Sequence, residues 1–439
     1  MLRSCAGLTP RLWRTVCFSE RERSIALQYA LSLNGPAVAK PNPGTCGGQG
    51  VTVHVWHRHN LGRAGRHEWE YQITAAKEWA GGSGSERVMR RFAKELWAWS
   101  LLAARRLWTP LGSEPSAFVL CYHRVSPVPE DEWAEPALVL SPKMFEEHIR
   151  HLSQMCHVMS LTDLLQTDCT SMKPAGQPAC AITFDDGWQD NYLHAYPVLR
   201  RYDCPATIFL TVGLIGTAKL PWTTKLYHML HLAPSLGDRL LNAAEWASGR
   251  TGPPLCPPKA DNLMRRAKRV PRCEREALMA KLERALESEL RAAVLPRLFL
   301  DWAEVVEMAN NRVVFGAHSM THAMMDELTR EEALREFADS RRVIEEHLGK
   351  PPEIFAYPDG RWDNQLRVLA KETGYRWACA LVDGDLPGTG DGFGVKRVPV
   401  SQSAFSGIGG RFSPALLAWE TTGIGDWVRE FRRRDRNGA

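Results

Sequence analysis

The sequence lacks the patterns that mark disulfide-framed, zinc-ribbon and membrane-spanning proteins. Its eleven cysteines are scattered singly, without a C-x-x-C pair, and their number is odd. This argues against a disulfide framework or a structural zinc site and favours either a reducing compartment or incidental buried thiols. The longest tempting apolar run, Leu96 to Ala104, is under half of the roughly 20 residues that span a bilayer. Residues 1–24 contain no sustained apolar stretch, so we expect no secretory signal peptide.

The sequence also lacks a strong charge imbalance. Hydrophobic residues make up 44% of the 439 positions, charged residues make up 24%, and the net charge is +5. This composition is typical of an ordinary globular protein with one to three domains. The charge is too small for the chain length to indicate a nucleic-acid partner.

The N-terminal quarter differs from the rest. Residues 1–88 contain stretches rich in Gly, Pro and Ser, and we expect them to form a poorly structured extension. Residues 89–110 predict an amphipathic helix. Within 90–108, at 100° per residue, one sector about 120° wide contains Arg91, Lys94, Glu95, Arg105 and Arg106, and Trp, Leu and Phe occupy most of the remainder. Such a helix suits either peripheral contact with a membrane surface or packing against the following domain.

From residue 116 onward, apolar runs rich in β-branched residues alternate with helical patterns. Seven runs predict strands, and helix signals lie between several of them. One helix opens with Thr329 and Glu332 at the spacing of a capping box and stops at Gly349. Strands buried on both faces that alternate with helices indicate a parallel α/β fold. We therefore predict an incomplete or distorted (β/α)7 barrel over residues 116–400, a helical insertion over about 219–297, and a C-terminal tail over 401–439.

Polar side chains follow the predicted strands. In a β/α barrel the C-terminal ends of the strands meet on one face, so these residues should converge there. Carboxylates and imidazoles at one rim could hold a divalent cation with an open coordination position. The residues at these positions are Tyr122, His123, Asp185, Asp186, His318, His322, Tyr357 to Gly360, and Asp383.

Each element of this pattern is weak by itself. A strand that ends in Asp-Asp-Gly is more often a solvated turn than a catalytic site. The His-x-x-x-His spacing also occurs on zincin helices, but Ser319 stands where a zincin has Glu, and the preceding residues predict a strand. The combination at corresponding strand ends carries the prediction.

The motifs TFDDG (Thr183 to Gly187) and HSMTH (His318 to His322) together resemble the first two motifs of the polysaccharide deacetylase family, the NodB-like carbohydrate esterases. FAYPDG (Phe355 to Gly360) resembles the third. The run LCYHRV resembles a branch of this family whose chains open with a Tyr-His strand and which is often linked to exopolysaccharide synthesis. The resemblance spans about residues 116–400 and implies a barrel of the NodB-homology type.

The resemblance implies specific roles. Asp185 would be the general base, and Asp186, His318 and His322 would bind the metal. The metal and a backbone N–H, that of Asp359, would hold the oxyanion. Gly187 would allow a sharp turn, and Pro358 and Gly360 would shape the loop that contains Tyr357 and Asp359.

Two departures from the family pattern matter. The family's third motif often contains an Arg that orients the base, and Ala356 stands there; Arg397 or Arg361 could substitute, and we prefer Arg397. The family's usual acid is a late histidine, but no histidine follows His347. His123 is the natural replacement, with a structural role as the alternative. Asp383 and Asp385 lie where the family often has a further acid, although solvated loop residues are equally expected there.

These observations predict a metal-dependent carbohydrate deacetylase that hydrolyses the C–N amide bond of N-acetylhexosamine units in a polysaccharide or glycan. The alternatives are an O-deacetylase on the same scaffold and a glycan-binding pseudoenzyme. We expect Zn2+ as the cofactor, with Co2+, Ni2+ or Fe2+ as further candidates. The expected location is the bacterial cytoplasm or the inner face of the cytoplasmic membrane.

Overall fold

The computed structural model describes residues 53–61, 67–75, 95, 98, 117–127, 133–167, 177–232, 260–293, 295–381, 384–385, 387, 390–407 and 410–422. The chain divides into two compact units, Met1–Gly81 and Gly82–Ala439.

The first unit contains an antiparallel hairpin. Strand β1 (Val53–Leu61) pairs with strand β2 (His67–Ala75) along the whole length of both. These two strands were not anticipated from the sequence. The missed signal is the alternation of Trp69, Tyr71 and Ile73 with polar residues, a period of two that favours a strand. The extent of the N-terminal extension, residues 1–88, stays a prediction.

The second unit is built on a parallel sheet that holds all seven predicted strands. Its spatial order is β11-β10-β9-β8-β7-β3-β12, and β6 also pairs with β7. The sheet curls into an incomplete β/α barrel, as predicted. At its open edge Val395 bridges to Cys379 at the end of β11. The strands of this unit are β3 (Ala117–Tyr122), β4 (Arg124–Val125), β5 (Val139–Leu140), β6 (His157–Val158), β7 (Ala179–Phe184), β8 (Ala206–Leu210), β9 (Val313–Ala317), β10 (Ile354–Ala356), β11 (Trp377–Cys379) and β12 (Val398–Pro399).

The central strands are apolar throughout because both of their faces are covered. Every residue of β3, β7 and β8 is buried. Alternate residues of β3 belong to two separate core clusters, Phe118 and Leu120 to one and Ala117 and Val119 to the other. This is the arrangement of a parallel sheet between two layers.

Helices cover the sheet, and local signals set their ends. The longest has the predicted capping box of Thr329 and Glu332 and ends at Gly349, which has a left-handed φ of 70°. The other helices outside the insertion start at a Ser or Asp cap in several cases. The helices are Pro142–Met155, Leu161–Gln166, Tyr196–Arg201, Trp302–Ala309, Arg330–Leu348, Asn364–Glu372, Gln402–Phe405 and Pro414–Thr421.

The predicted insertion is helical where it is described. Its helices are Trp222–Leu232, Ala260–Ala267, Arg272–Ala285 and Glu287–Ala292. They share a core of their own that includes Leu226, Met264 and Leu282. The insertion, which lies between β8 and β9 in the sequence, therefore forms a helical layer with its own core.

Two positions of the predicted amphipathic helix over residues 90–108 are described, Glu95 and Ala98, and both are helical. Ala98 is fully buried in a cluster with Ala415, Leu416 and Trp419. At this position the chain packs against the domain, and the remaining residues of that helix lie outside the described ranges. Contact with a membrane stays a prediction. Among the described residues, no helix combines the length and the hydropathy that crossing a bilayer requires.

Candidate active site

Polar residues that follow three strands meet at one rim of the barrel. His123 follows β3, Asp185 and Asp186 follow β7, and His318 follows β9. Arg397 directly precedes β12 and reaches the same place from the other edge. Because the β7–β3 and β8–β9 pairs are parallel and in register, their C-terminal ends lie side by side, as in other β/α barrels.

Asp185 lies in a fully formed ion pair. Arg397 Nη1 lies 2.6 Å from Asp185 Oδ1, and Arg397 Nη2 lies 2.8 Å from Oδ2. Both side chains are buried. Burial raises the pKa of Asp185, but the guanidinium outweighs this effect and holds the pKa at about 2. The carboxylate is therefore ionised at every ordinary pH, and its plane is fixed by a bidentate partner.

Asp186 has a different environment although it is the next residue. Trp188 Nε1 donates a hydrogen bond of 2.9 Å to Asp186 Oδ2. The other oxygen, Oδ1, is buried and accepts no hydrogen bond in the structure. It faces His322 Nε2 at 3.2 Å and His318 Nε2 at 3.5 Å. Asp186 Oδ1 is thus an unsatisfied acceptor between two imidazole nitrogens.

His318 is held in the tautomer that a metal ligand needs. Its Nδ1 lies 2.7 Å from the main-chain oxygen of Ala356, which can only accept a hydrogen bond. Nδ1 therefore carries the proton and Nε2 keeps its lone pair. Burial lowers the pKa of His318 to about 4, which keeps the ring neutral at neutral pH.

Two groups of side chains at this rim lie close enough together to hold a metal ion. One is Asp186, His318 and His322, and the other is Cys121, His123 and Asp185. Arg397 already neutralises Asp185, whereas within the described residues no cationic Lys or Arg pairs with Asp186. Asp, His and His also form a ligand set typical of catalytic zinc. The charge distribution therefore favours the first group.

The backbone around this rim is strained. Within the described part of the chain, six residues other than glycine have a left-handed φ, and four of them lie here: Asp186, Ser319, His322 and Asp359. Left-handed backbone is unfavourable for residues with a Cβ and tends to cluster at functional sites. Gly187 completes the turn after Asp186 with a φ of 78°, and a Cβ there would approach Leu210 to 2.8 Å.

In the loop Tyr357–Gly360, one backbone N–H group has no hydrogen-bond acceptor in the described part of the chain. Tyr357 N donates to Cys379 O, and Gly360 N donates to Tyr357 O. Pro358 has no N–H. In the part of the chain that the structure describes, the N–H of Asp359 has no hydrogen-bond acceptor, and Asp359 has a φ of 57°. Gly360 has no room for a side chain, since a Cβ would approach Leu381 to 2.7 Å.

The remaining predicted residues have different outcomes. The ring of Tyr357 lies in the hydrophobic core, and its hydroxyl donates to the main-chain oxygen of Phe393 at 3.1 Å. His123 Nε2 lies 4.0 Å from Asp185 Oδ2, so it lies at the site. Arg361, the second candidate for orienting the base, instead pairs with Asp326 and is excluded from that position. Asp385 is exposed. Asp383 lies outside the described residues.

Three contacts at the site were missed from the sequence. The Cys121 thiol donates to Asp185 Oδ2 at 3.3 Å, and its place two residues before His123 on one strand face was a usable signal. The only signal for the hydrogen bond from the Trp188 indole to Asp186 was that the two residues are close in sequence. Lys268 contacts Asp359 across 91 residues of sequence, and no pattern in the sequence indicates this pairing.

Residues 172–378 match the family model described as polysaccharide deacetylase. YxkH of Bacillus subtilis (strain 168), which is named as a polysaccharide deacetylase, is 22% identical over 283 residues, covering 64% of this chain and 71% of that protein. The Streptococcus pyogenes deacetylase PplD in complex with acetate has a TM-score of 0.45 at 16% identity, covering 71% of this chain and 99% of PplD. IcaB from Ammonifex degensii has a TM-score of 0.44 at 17% identity, covering 71% of this chain and 100% of IcaB.

Proposed function

Because residues 172–378 make this chain a member of the polysaccharide deacetylase family, we propose that it is a metal-dependent hydrolase that removes N-acetyl groups from N-acetylhexosamine units of a polysaccharide or glycan. The substrate class comes from the family, and the N-acetyl specificity is our proposal. Its location, the bacterial cytoplasm or the inner face of the cytoplasmic membrane, is also our proposal. Cell fractionation tests it.

One observation carries the proposal, namely the unequal environment of two adjacent carboxylates. Asp185 is paired on both oxygens with Arg397. Asp186 leaves Oδ1 unsatisfied between His318 and His322. A binding module needs neither feature, whereas a hydrolase needs a base and a cation site that remain distinct although they are adjacent.

The residues present fit a divalent cation. Asp186 Oδ1 is an orphaned buried acceptor, and His318 Nε2 carries a lone pair directed into the same space. With His322 they offer one carboxylate and two imidazole ligands, which suits Zn2+ and also accepts Co2+, Ni2+ or Fe2+. When bound, such a cation supplies Lewis acidity towards water and towards a carbonyl oxygen.

The chain's own residues handle the protons. Asp185 accepts the proton of the attacking water, and Arg397 keeps its carboxylate ionised and oriented. His123 Nε2, 4.0 Å from Asp185 Oδ2, protonates the departing amine nitrogen. The group that gains a proton and the group that supplies one thus lie at the same edge of the site, as acid–base hydrolysis of an amide requires.

The loop Tyr357–Gly360 stabilises the charge that develops on the carbonyl oxygen. The N–H of Asp359 has no acceptor among the described residues, so it can donate to the oxyanion without first breaking another bond. A fixed donor of this kind lowers the barrier because it needs no reorganisation during the reaction.

Acetate release tests the proposal directly. We expect the protein, incubated with Zn2+, to release acetate and free amine in equal amounts from oligomers of N-acetylglucosamine. Elemental analysis should find close to one metal ion per chain, and a variant with Asp186→Asn and His318→Ala should bind almost none. Acetate from O-acetylated sugars without amine would instead indicate an O-deacetylase. Metal binding without turnover over many glycans would indicate a binding protein, and a folded but metal-free wild type would exclude the mechanism.

The indole of Trp188 should contribute to metal affinity. Its N–H donates to Asp186 Oδ2 at 2.9 Å and so directs Oδ1 towards the two histidines. Outer-shell hydrogen bonds of this kind are typically worth about 10- to 100-fold in metal affinity. We expect Trp188→Phe, which keeps an aromatic ring against Phe299, to weaken Zn2+ binding by that factor in competition with a chromophoric chelator.

Trp302→Phe is the matched control. Trp302 stacks on His347 and makes no hydrogen bond to any of the three metal ligands, so this variant should bind Zn2+ as the wild type does. Equal affinities for both variants would show that the Trp188 hydrogen bond does not orient Asp186.

A further inference from the structure

The helical insertion reaches the candidate active site through one side chain. Lys268 directly follows the helix Ala260–Ala267. Its Nζ lies 2.9 Å from Asp359 Oδ1 and 3.5 Å from Glu135 Oε1. Burial lowers the pKa of Lys268, but the two carboxylates outweigh this effect and raise it. The ammonium is therefore charged and fully engaged with carboxylates, which leaves it poorly suited to bind an anionic group of a substrate.

The main chain of the same residue is also tied to this loop. Arg361, which follows the loop Tyr357–Gly360, donates from Nη1 to the main-chain oxygen of Lys268 at 3.2 Å. Arg361 is itself held by Asp326, 2.6 Å from its Nη2. Two contacts thus join the insertion to this part of the chain. The Lys268 side chain pairs with the Asp359 carboxylate, and the Arg361 side chain donates to the Lys268 main chain.

The loop needs this support because its own conformation is unfavourable. Asp359 has a left-handed φ of 57°, which is disfavoured for any residue with a Cβ. Its N–H, which we assign to the oxyanion, has no hydrogen-bond acceptor in the described chain. A free Asp359 side chain would leave the backbone able to relax towards ordinary φ values and so redirect that N–H.

We propose that Lys268 is a positioning residue of the active site, which holds the Asp359 carboxylate so that the adjacent N–H stays aimed at the reacting carbonyl. The insertion is then a component of the catalytic site and not only a cover for the barrel. This inference rests on the proposed function for its kinetic consequences, whereas its structural consequence can be measured without turnover.

Replacement of Lys268 by Met tests the role. We expect kcat for acetate release to fall about 10- to 100-fold, the range in which small misplacements of catalytic groups act. KM and metal content should change little, because the Lys268 ammonium pairs with Asp359 and Glu135 and with none of the three metal ligands. Lys268→Arg should restore most of the rate, since it keeps a cation within reach of Asp359. Hydrogen exchange of the peptide covering residues 355–363 should be faster in Lys268→Met than in the wild type.

Lys225→Met is the matched control. Lys225 pairs with Glu283 at 2.8 Å inside the insertion and forms no ion pair with the loop Tyr357–Gly360, so its loss should change neither the rate nor the exchange. Unchanged kcat and unchanged loop exchange in Lys268→Met would overturn the inference. If the wild type itself releases no acetate, the proposed function fails, and the exchange experiment alone still decides the positioning role.

Discussion

Asp185→Asn should lower the rate of acetate release by about 100- to 10,000-fold, the contribution of a general base, while the metal stays bound. Asparagine has almost the same shape as aspartate but cannot take a proton from water. Asp185 is ionised at every working pH because Arg397 holds its pKa at about 2, so the wild type always has a base available. Steady-state kinetics with oligomers of N-acetylglucosamine and elemental analysis of the same samples measure both quantities.

Asp186→Asn provides the comparison, because it makes the same chemical change one residue away. Asp186 Oδ1 faces both histidines, so its replacement should remove the metal and the activity together. The two variants thus separate the roles of the adjacent carboxylates. Loss of metal from Asp185→Asn, or a wild-type rate in that variant, would contradict the assignment of Asp185 as the base.

The fold was predictable from the sequence where local signals agree with the tertiary structure. Continuous apolar runs identified the seven strands because both faces of the sheet are covered, and the capping box at Thr329 with Gly349 at the other end fixed the longest helix. The hairpin β1–β2 was missed because it lies between stretches rich in Gly, Pro and Ser that favour a poorly structured segment, although β2 alternates polar and apolar residues. The packing of Ala98 against Trp419 joins residues more than 300 positions apart and leaves no periodic trace.

The sequence predicted the residues proposed as base and metal ligands, but not the residues that contact and orient them. Asp185, Asp186 and His318 could be placed because strand ends in a parallel barrel converge whatever the side chains are. The preference for Arg397 over Arg361 rested on its position on the last strand, which closes the sheet next to β3. Cys121, Trp188 and Lys268 were missed because their contacts depend on rotamers and on the path of the insertion, which the order of residues does not specify.

Arg397→Met should have the largest effect on stability. The Arg397 and Asp185 side chains are only 0% and 2% exposed, so the substitution leaves an uncompensated charge in the interior. Removal of one partner of a buried ion pair costs about 3–5 kcal/mol of unfolding free energy. Chemical denaturation of the variant and the wild type measures this loss. Arg330→Met removes an ion pair of similar length, 2.7 Å to Glu372, whose side chains are 48% and 47% exposed, and should cost no more than about 1 kcal/mol.

The loss should depend on pH with a defined sign. In the wild type the folded-state pKa of Asp185 is lowered to about 2, so the stability it contributes is complete above the unfolded pKa of about 4 and disappears as pH falls towards 2. In Arg397→Met, burial raises the pKa of the Asp185 carboxyl and no guanidinium counteracts this effect. Ionisation of Asp185 therefore lowers the stability of the variant as pH rises. The stability difference between the two proteins should therefore shrink from neutral pH towards pH 3.

A second replacement, Asp185→Asn, should recover much of the loss at neutral pH, since it removes the uncompensated charge. A difference that is independent of pH, or a double variant as unstable as Arg397→Met alone, would show that the arginine stabilises the protein by packing against Phe209 and not through its charge.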